Sequence, residues 1–224
     1  MALLVLTSFI ISFTLLSFVI VMISASDTES LLKFRDSLEN DNALLSSWNA
    51  SIPPCSYDHA SSSSSSSHWP HVQCYKGHVW GLKLENMKLK GVIDVHSLLG
   101  LPYLRTISLI NNDFDSSWPD INKLVGLKTL FLSNNKFFGE IPAQAFQGMQ
   151  WLKKIHLSNN QFTGPIPTSL TSMPRLMELR LDGNQFTGPI PNFQHAFISF
   201  SVANNRLEGE IPASLHNMPA SSFS

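Results

Sequence analysis

Two cysteines, Cys55 and Cys74, and three histidines near them, His59, His68 and His71, form the densest group of reactive side chains in the 224-residue sequence. A zinc site would need these groups at ligand spacing, and the Ser-rich stretch that holds them has no such pattern, so no metal is expected. In an oxidising compartment an isolated cysteine pair most simply closes one disulfide. Nucleophilic catalysis would need a serine on a strained elbow, and acid–base work a carboxylate pair at useful spacing. Neither pattern is present, nor is a Gly-rich phosphate loop; no enzyme activity and no cofactor are expected. Asn49-Ala50-Ser51 is the one N-x-S/T sequon and reads as a glycosylation acceptor in a secreted chain.

The compartment follows from the first residues. Met1 to Ile23 carry no charged side chain, and Ser24, Ala25 and Ser26 supply small residues before the first charge at Asp27. This predicts a signal peptide over residues 1–25, cut between Ser24 and Asp27. The alternative is an uncleaved anchor, since about 20 apolar residues span a bilayer. No later stretch is apolar and long enough to cross one. The expected location is the secretory pathway, ending in the extracellular space or on the outer face of the plasma membrane. A net charge of -1 with scattered basic residues gives no case for nucleic acid, whose affinity rests on neutralised phosphates.

The rest of the chain is organised by an internal repeat. LRTISLINNDFDSSWP from Leu104, LKTLFLSNNKFFGEIP from Leu127 and LKKIHLSNNQFTGPIP from Leu152 align with LMELRLDGNQFTGPIP from Leu176 and FISFSVANNRLEGEIP from Phe197. A degenerate first copy, VWGLKLENMKLKGVID, begins at Val79. Asn112, Asn135, Asn160, Asn184 and Asn205 stand 23, 25, 24 and 21 residues apart, with Met87 in the equivalent place of the first copy. The common pattern L-x-x-L-x-L-x-x-N-x-F-x-G-x-I-P is the leucine-rich repeat, and a repeat of this period overrides local readings.

Each position has a physical role. In L-x-L two apolar side chains alternate with an outward one, as in a short strand with one buried face. Leu130 and Leu132, or Ile155 and Leu157, point inward. The asparagines sit where the chain leaves the strand, and their amides pair with backbone groups of their own and the neighbouring coil, stacking into a structural ladder. Phe114, Phe137, Phe162 and Phe186, with Leu207 last, form a second stack. In G-x-I-P the glycine permits a tight bend and the proline fixes an extended turn. The copy from Leu104 departs here, with Ser116 for Gly and Trp118 for Ile.

The expected fold is an α/β solenoid, a curved leucine-rich-repeat array with a parallel β-sheet on its concave face and a helical, disulfide-bonded N-terminal cap. Residues 26–77 form the cap with its Ser-rich loop, 78–218 about six repeats, and 219–224 a truncated tail. Six strands about 4.8 Å apart make a sheet roughly 25–30 Å across. Leu31, Leu32, Phe34 and Leu38 at helical spacing predict a helix over about 28–39, started by an Asp or Thr cap. Ser61–Ser67 inserts seven serines between the cysteines and reads as a loop. The far end is expected to be open and to fray over residues 197–218.

From Asp27 to Ser224 the sequence resembles the ectodomains of plant leucine-rich-repeat receptor-like kinases. It is most similar to the pollen receptor-like kinases, through LLKFRDSLEN, VWGLKLENMKLKGVIDVHSLLGLPYLRT and PRLMELRLDGNQFTGPIPNF. In such caps a W-x-G-V-x-C segment pairs its cysteine with one upstream; here WPHVQC has His71 in the Gly place, and the resemblance implies the pair Cys55–Cys74. It also implies plant cell-surface signalling in pollen-tube growth or guidance, with a secreted peptide, a small protein ligand or another receptor ectodomain as partner. The membrane span and kinase that follow in such receptors are missing here, so membrane contact would come from such a span or from an uncleaved signal. The alternative implied is a secreted inhibitor of a pathogen wall-degrading enzyme.

On either reading, binding falls to the concave face. Its central column reads Lys83, Ser108, Phe131, His156, Arg180 and Ser201. Thr129, Lys154 and Glu178 flank it on one side, and Ser133, Ser158 and Asp182 on the other, with Lys128 and Lys153 at the edge. Phe131, Lys154, His156, Glu178, Arg180 and Asp182 are the expected ligand contacts, because an exposed aromatic among charges is the anchor that binding surfaces favour.

Overall fold

The structure, a computed structural model, describes residues 27–39, 45–56 and 66–224. The expected signal peptide and most of the serine run lie outside these residues. No helix among the described residues is long and apolar enough to cross a membrane.

One sheet runs the length of the array in the order β1-β2-β3-β4-β6-β8-β10. Its strands are β1 (Val72–Tyr75), β2 (His78–Lys83), β3 (Thr106–Ser108), β4 (Thr129–Phe131), β6 (Lys154–His156), β8 (Glu178–Arg180) and β10 (Ser199–Ser201). All pairings from β2 onward are parallel, and the register places Ser108, Phe131, His156 and Arg180 opposite one another in turn. Leu82, Ile107, Leu130, Ile155 and Leu179 point into the core and are fully or almost fully buried.

The asparagines close each coil. Asn135 Nδ2 donates to the carbonyls of Leu109 and Leu132, while its Oδ1 accepts the N–H of Phe114. Asn112, Asn160, Asn184 and Asn205 repeat the arrangement on their own rungs. Each amide thus satisfies buried backbone groups of two adjacent rungs, groups that cost free energy when left unpaired. Below them Phe114, Phe137, Phe162 and Phe186 stack with centroids 5.8, 6.1 and 6.2 Å apart.

A second, four-stranded parallel sheet was not expected from the repeat pattern. It joins β5 (Phe138–Glu140), β7 (Gln161–Pro165), β9 (Gln185–Gly188) and β11 (Arg206–Leu207). Gly139, Gly164 and Gly188 within it have φ of 78°, 73° and 73°, a backbone that side-chain-bearing residues rarely adopt. The copy with Ser116 in the glycine place has no strand here, although the Ser116 carbonyl still accepts the N–H of Phe138. Its Trp118 packs against Phe146 and Phe162 at 5.1 and 5.9 Å, filling the space an Ile fills elsewhere.

The cap helix α1 occupies residues 27–36, ending three residues before the apolar spacing predicts. Leu31 and Phe34 are buried beneath the first rung. The carboxylate of Asp27 accepts the Val79 N–H at 3.1 Å, which ties the helix start to β2. Strand β1 turns back antiparallel onto β2 through Lys76 and Gly77, both at positive φ, as a two-residue hairpin of this hand requires. Cys55 and Cys74 are joined. Trp48 and Trp69 stack at 5.3 Å, each indole N–H donating to a backbone carbonyl. His71 has φ of 66°, which accounts for glycine in the resembling caps; its Nδ1 lies 3.1 Å from the Lys83 carbonyl.

The far end is not bare, contrary to expectation. Leu84, Leu109, Leu132, Leu157 and Leu181 each donate their N–H to the next rung, and Val202 donates to the Ser222 carbonyl in the same way. Phe223 then follows Val202 as Val202 follows Leu181, and its ring packs on Phe200 at 5.9 Å. Residues 220–223 therefore start a seventh rung, and Leu215 beneath them is fully buried. The tail assigned to 219–224 belongs to the array.

Candidate functional site

The concave face is the outward side of the long sheet, and its chemistry changes from column to column. In the middle, Phe131 and His156 stack face to face with centroids 4.2 Å apart. Parallel pairing brings about such contacts, since neighbours in register lie about 4.8 Å apart. Glu178, on the next strand and one column over, accepts from Lys154 Nζ at 2.7 Å and from His156 Nε2 at 3.1 Å. A carboxylate only accepts, so the proton of the neutral imidazole sits on Nε2. Arg180 lies exposed beyond His156, its Nε donating to Ser199 Oγ at 3.3 Å. Five of the six expected contact residues thus form one contiguous group, three of them through Glu178.

Burial pushes the pKa of His156 down, and the Arg180 charge adds to this; the Glu178 hydrogen bond opposes both. Burial alone would raise Glu178, but the hydrogen bond and charge of Lys154, helped by His156, hold it below the usual carboxylate range. The pair is therefore a neutral imidazole donating to a carboxylate at neutral pH, rather than an ion pair.

Asp182 belongs to a different feature. Its Oδ1 accepts the Ser158 hydroxyl at 2.9 Å, and the Ser158 N–H donates to Ser133 Oγ at 3.1 Å. Ser133 and Ser158, expected on the open face, are buried, as is Ser108, whose hydroxyl donates to Glu85. Small hydroxyls near the strand ends reach polar atoms of a neighbouring rung, so the Ser133–Ser158–Asp182 column is a structural chain with Asp182 at its half-buried end.

Beside the buried asparagines runs a second column that sequence reading missed. Asn86, Asn111, Asn134, Asn159 and Asn204 all have φ between 53° and 60°. Asn159 donates to Asn134, Asn134 to Asn111 and Asn111 to Asn86, at 2.7, 2.6 and 2.8 Å. The doubled asparagine in each N-N pair was the available signal. Gly183 interrupts the file; a Cβ there would stand 2.3 Å from Asn159 Oδ1.

Asn49 is exposed, and its Oδ1 accepts the Ser51 N–H at 2.8 Å, so the sequon forms a compact turn on the cap surface. No group of three or more His, Cys, Asp or Glu able to hold a metal occurs among the described residues.

The profile of the Leucine rich repeat family matches residues 125–186, and that of the Leucine rich repeat N-terminal domain matches residues 24–75. The chain is 49% identical to Pollen receptor-like kinase 2 of Arabidopsis thaliana over 80% of its length and 26% of that protein's. It is 50% identical to Pollen receptor-like kinase 1 of the same species, over 80% and 25%. It thus spans about a quarter of these relatives. Among solved structures, that of a Pollen Receptor Kinase 3 superposes with a TM-score of 0.76 at 37% identity, covering 88% of this chain and 90% of that one. The Arabidopsis receptor kinase HAESA, in complex with the peptide hormone IDA and the co-receptor SERK1, aligns at 27% identity with a TM-score of 0.71, over 84% of this chain and 31% of that one.

Proposed function

Because the chain belongs to the pollen receptor-like kinases, as a leucine-rich-repeat ectodomain of that family, we propose that its concave face captures a secreted peptide or small protein ligand through Phe131, Lys154, His156, Glu178 and Arg180. The observation that carries this reading is the Phe131–His156 stack held open beside the Glu178 network on a rigid sheet. A preordered aromatic flanked by paired charges offers an anchor at little entropic cost. Asp182 borders this patch and fixes its edge through Ser158. A partner ectodomain, as co-receptor, completes the signalling unit in the cell wall space, and the process served is pollen-tube growth or guidance. The HAESA complex, where a peptide and a co-receptor bind one repeat ectodomain, supports this division of labour. Asn49 carries a glycan on the cap, away from the concave sheet.

Affinity capture from pollen-tube secretions, with the natural chain and with Phe131→Ala side by side, tests the proposal. A secreted peptide retained by the natural chain and lost at least tenfold with Phe131→Ala is expected. Equal retention by both would exclude the concave centre. The pH response is set by direction: His156 has a folded pKa below its unfolded one, so the unfolded chain binds more protons. Its contribution to stability is complete above the unfolded value and declines as pH falls toward the folded one. Thermal unfolding of the natural chain and His156→Gln between pH 7.5 and 5 should show a smaller acid loss in the variant.

A further inference from the structure

The two edges of the concave sheet differ in charge. At the strand-start edge the segments 77–80, 102–105, 125–128, 150–153, 174–177 and 195–198 contain no Asp or Glu, yet include Arg105, Lys128, Lys153 and Arg175. At the strand-end edge Glu85, Asp113 and Asp182 are matched by Lys88, Lys136 and Arg206, with Lys136 paired to Asp113, so that edge carries no excess of either sign. A chain of net charge -1 therefore concentrates unbalanced cations along one rim. None of Arg105, Lys128, Lys153 and Arg175 has a carboxylate partner among the described residues; the ion pairs of the molecule lie elsewhere.

Aromatic rings hold three of these four cations in place. Arg105 and Lys128 sit over the Trp80 ring at 5.6 and 5.0 Å, and Arg175 lies over Trp151 at 4.0 Å. Arg105 Nη1 is fixed further by the carbonyls of Pro102 and Leu104. Cation–π contacts restrain a side chain without neutralising its charge, so the cations stay available to an anion.

We infer that this rim, formed by Trp80, Arg105, Lys128, Trp151, Lys153 and Arg175, docks an acidic extended peptide segment. Successive rungs repeat about every 4.8 Å. Arg105, Lys128 and Lys153 stand on three successive rungs and so span about 10 Å, the reach of three residues of extended chain at about 3.3 Å each. Carboxylates three residues apart therefore meet both ends of the row. Peptide is favoured over acidic polysaccharide because the indole faces already carry cations, which leaves less ring surface for sugars to stack on. The inference sharpens the ligand-binding proposal by giving the ligand a sign and a direction across the sheet, and it rests on that proposal.

The probes are a fluorescent ten-residue peptide with Glu at every third position, its Lys counterpart, and polygalacturonate. Binding is read by fluorescence anisotropy at 20 and 200 mM salt, with amide chemical-shift mapping of the natural chain. The acidic peptide should bind, shift amides of β2, β3, β4 and β6, weaken at least fivefold at the higher salt, and lose at least tenfold with Lys128→Glu/Lys153→Glu. Circular dichroism confirms that this surface variant folds. Binding of polygalacturonate but not of the acidic peptide would overturn the inference, as would preference for the Lys peptide or no binding of any probe. Loss of the acidic peptide with Phe131→Ala alone, and not with the double charge reversal, would overturn the rim while sparing the central site. Loss with the charge reversal while Phe131→Ala leaves secreted-ligand capture intact would sustain the rim and sink the central proposal.

Discussion

Two columns of asparagine run side by side along the same strand ends, one residue apart, and they do opposite work. Asn112, Asn135, Asn160 and Asn184 are buried, and each joins at least three backbone groups of two adjacent rungs. Asn86, Asn111, Asn134 and Asn159 bond to one another in solvent, and their backbones turn left-handed. The same side chain is structural cement in one column and a tolerated turn residue in the next. What differs is the alternative available to the groups it touches: in the buried column it is only the asparagine of the next rung, and in the exposed column it is water.

The largest effect should come from Asn135→Ala, which strands the buried N–H of Phe114 and removes one of the two asparagine donors from the carbonyls of Leu109 and Leu132, leaving them to Asn112 and Asn160. At about 1–3 kcal/mol for the stranded N–H and about 0.5–1 kcal/mol for each carbonyl left with one donor, a loss of about 3 kcal/mol is expected in urea unfolding. A loss below about 1 kcal/mol would mean that water enters the ladder. Asn205→Ala should cost about half as much, because Asn205 is only partly buried on the last full rung. If it costs as much as Asn135→Ala, the seventh rung begun by Ser222 seals the end more tightly than its single bond to Val202 suggests.

Asn134→Ala should lose about 1 kcal/mol, since alanine at a φ of 58° meets steric strain that asparagine relieves with a local hydrogen bond. Asn134→Gly isolates the backbone part; it should recover most of that loss, and failure to recover would show that the amide file itself stabilises the array. The smallest change is expected for Gly183→Asn, within about 0.5 kcal/mol, where a new link to Asn159 offsets the close approach at its Oδ1. Side-chain amide exchange at Asn159 and at position 183 of the variant would report whether the file then runs unbroken.

Much of this was legible from the repeat. The alignment that sets Phe131 over His156 over Arg180 is the pairing register itself, because inward leucines must stack and the residues between them follow. The Cys55–Cys74 bond and the cap followed from composition and resemblance. What escaped depends on backbone shape or on neighbouring rungs. The second sheet needs glycines at positive φ on consecutive coils, a property of pairs of repeats. Ser133 and Ser158 look exposed in a single strand pattern and are buried only because the next rung reaches over them. Phe223 reads as a tail until Val202 is seen to donate to Ser222. The charge difference between the sheet edges was present in the sequence but scattered over six segments.

The exposed asparagine file has a polarity. Every amide donates in one direction, from Asn159 toward Asn86, so the side-chain dipoles line up head to tail as peptide dipoles do along a helix. Their N–H end, at Asn86, carries the partial positive charge, and their oxygen end, at Asn159, the partial negative one. Gly183 acts as an insulator between this file and Asn204. The array therefore has an electrical direction along its axis as well as a chain direction.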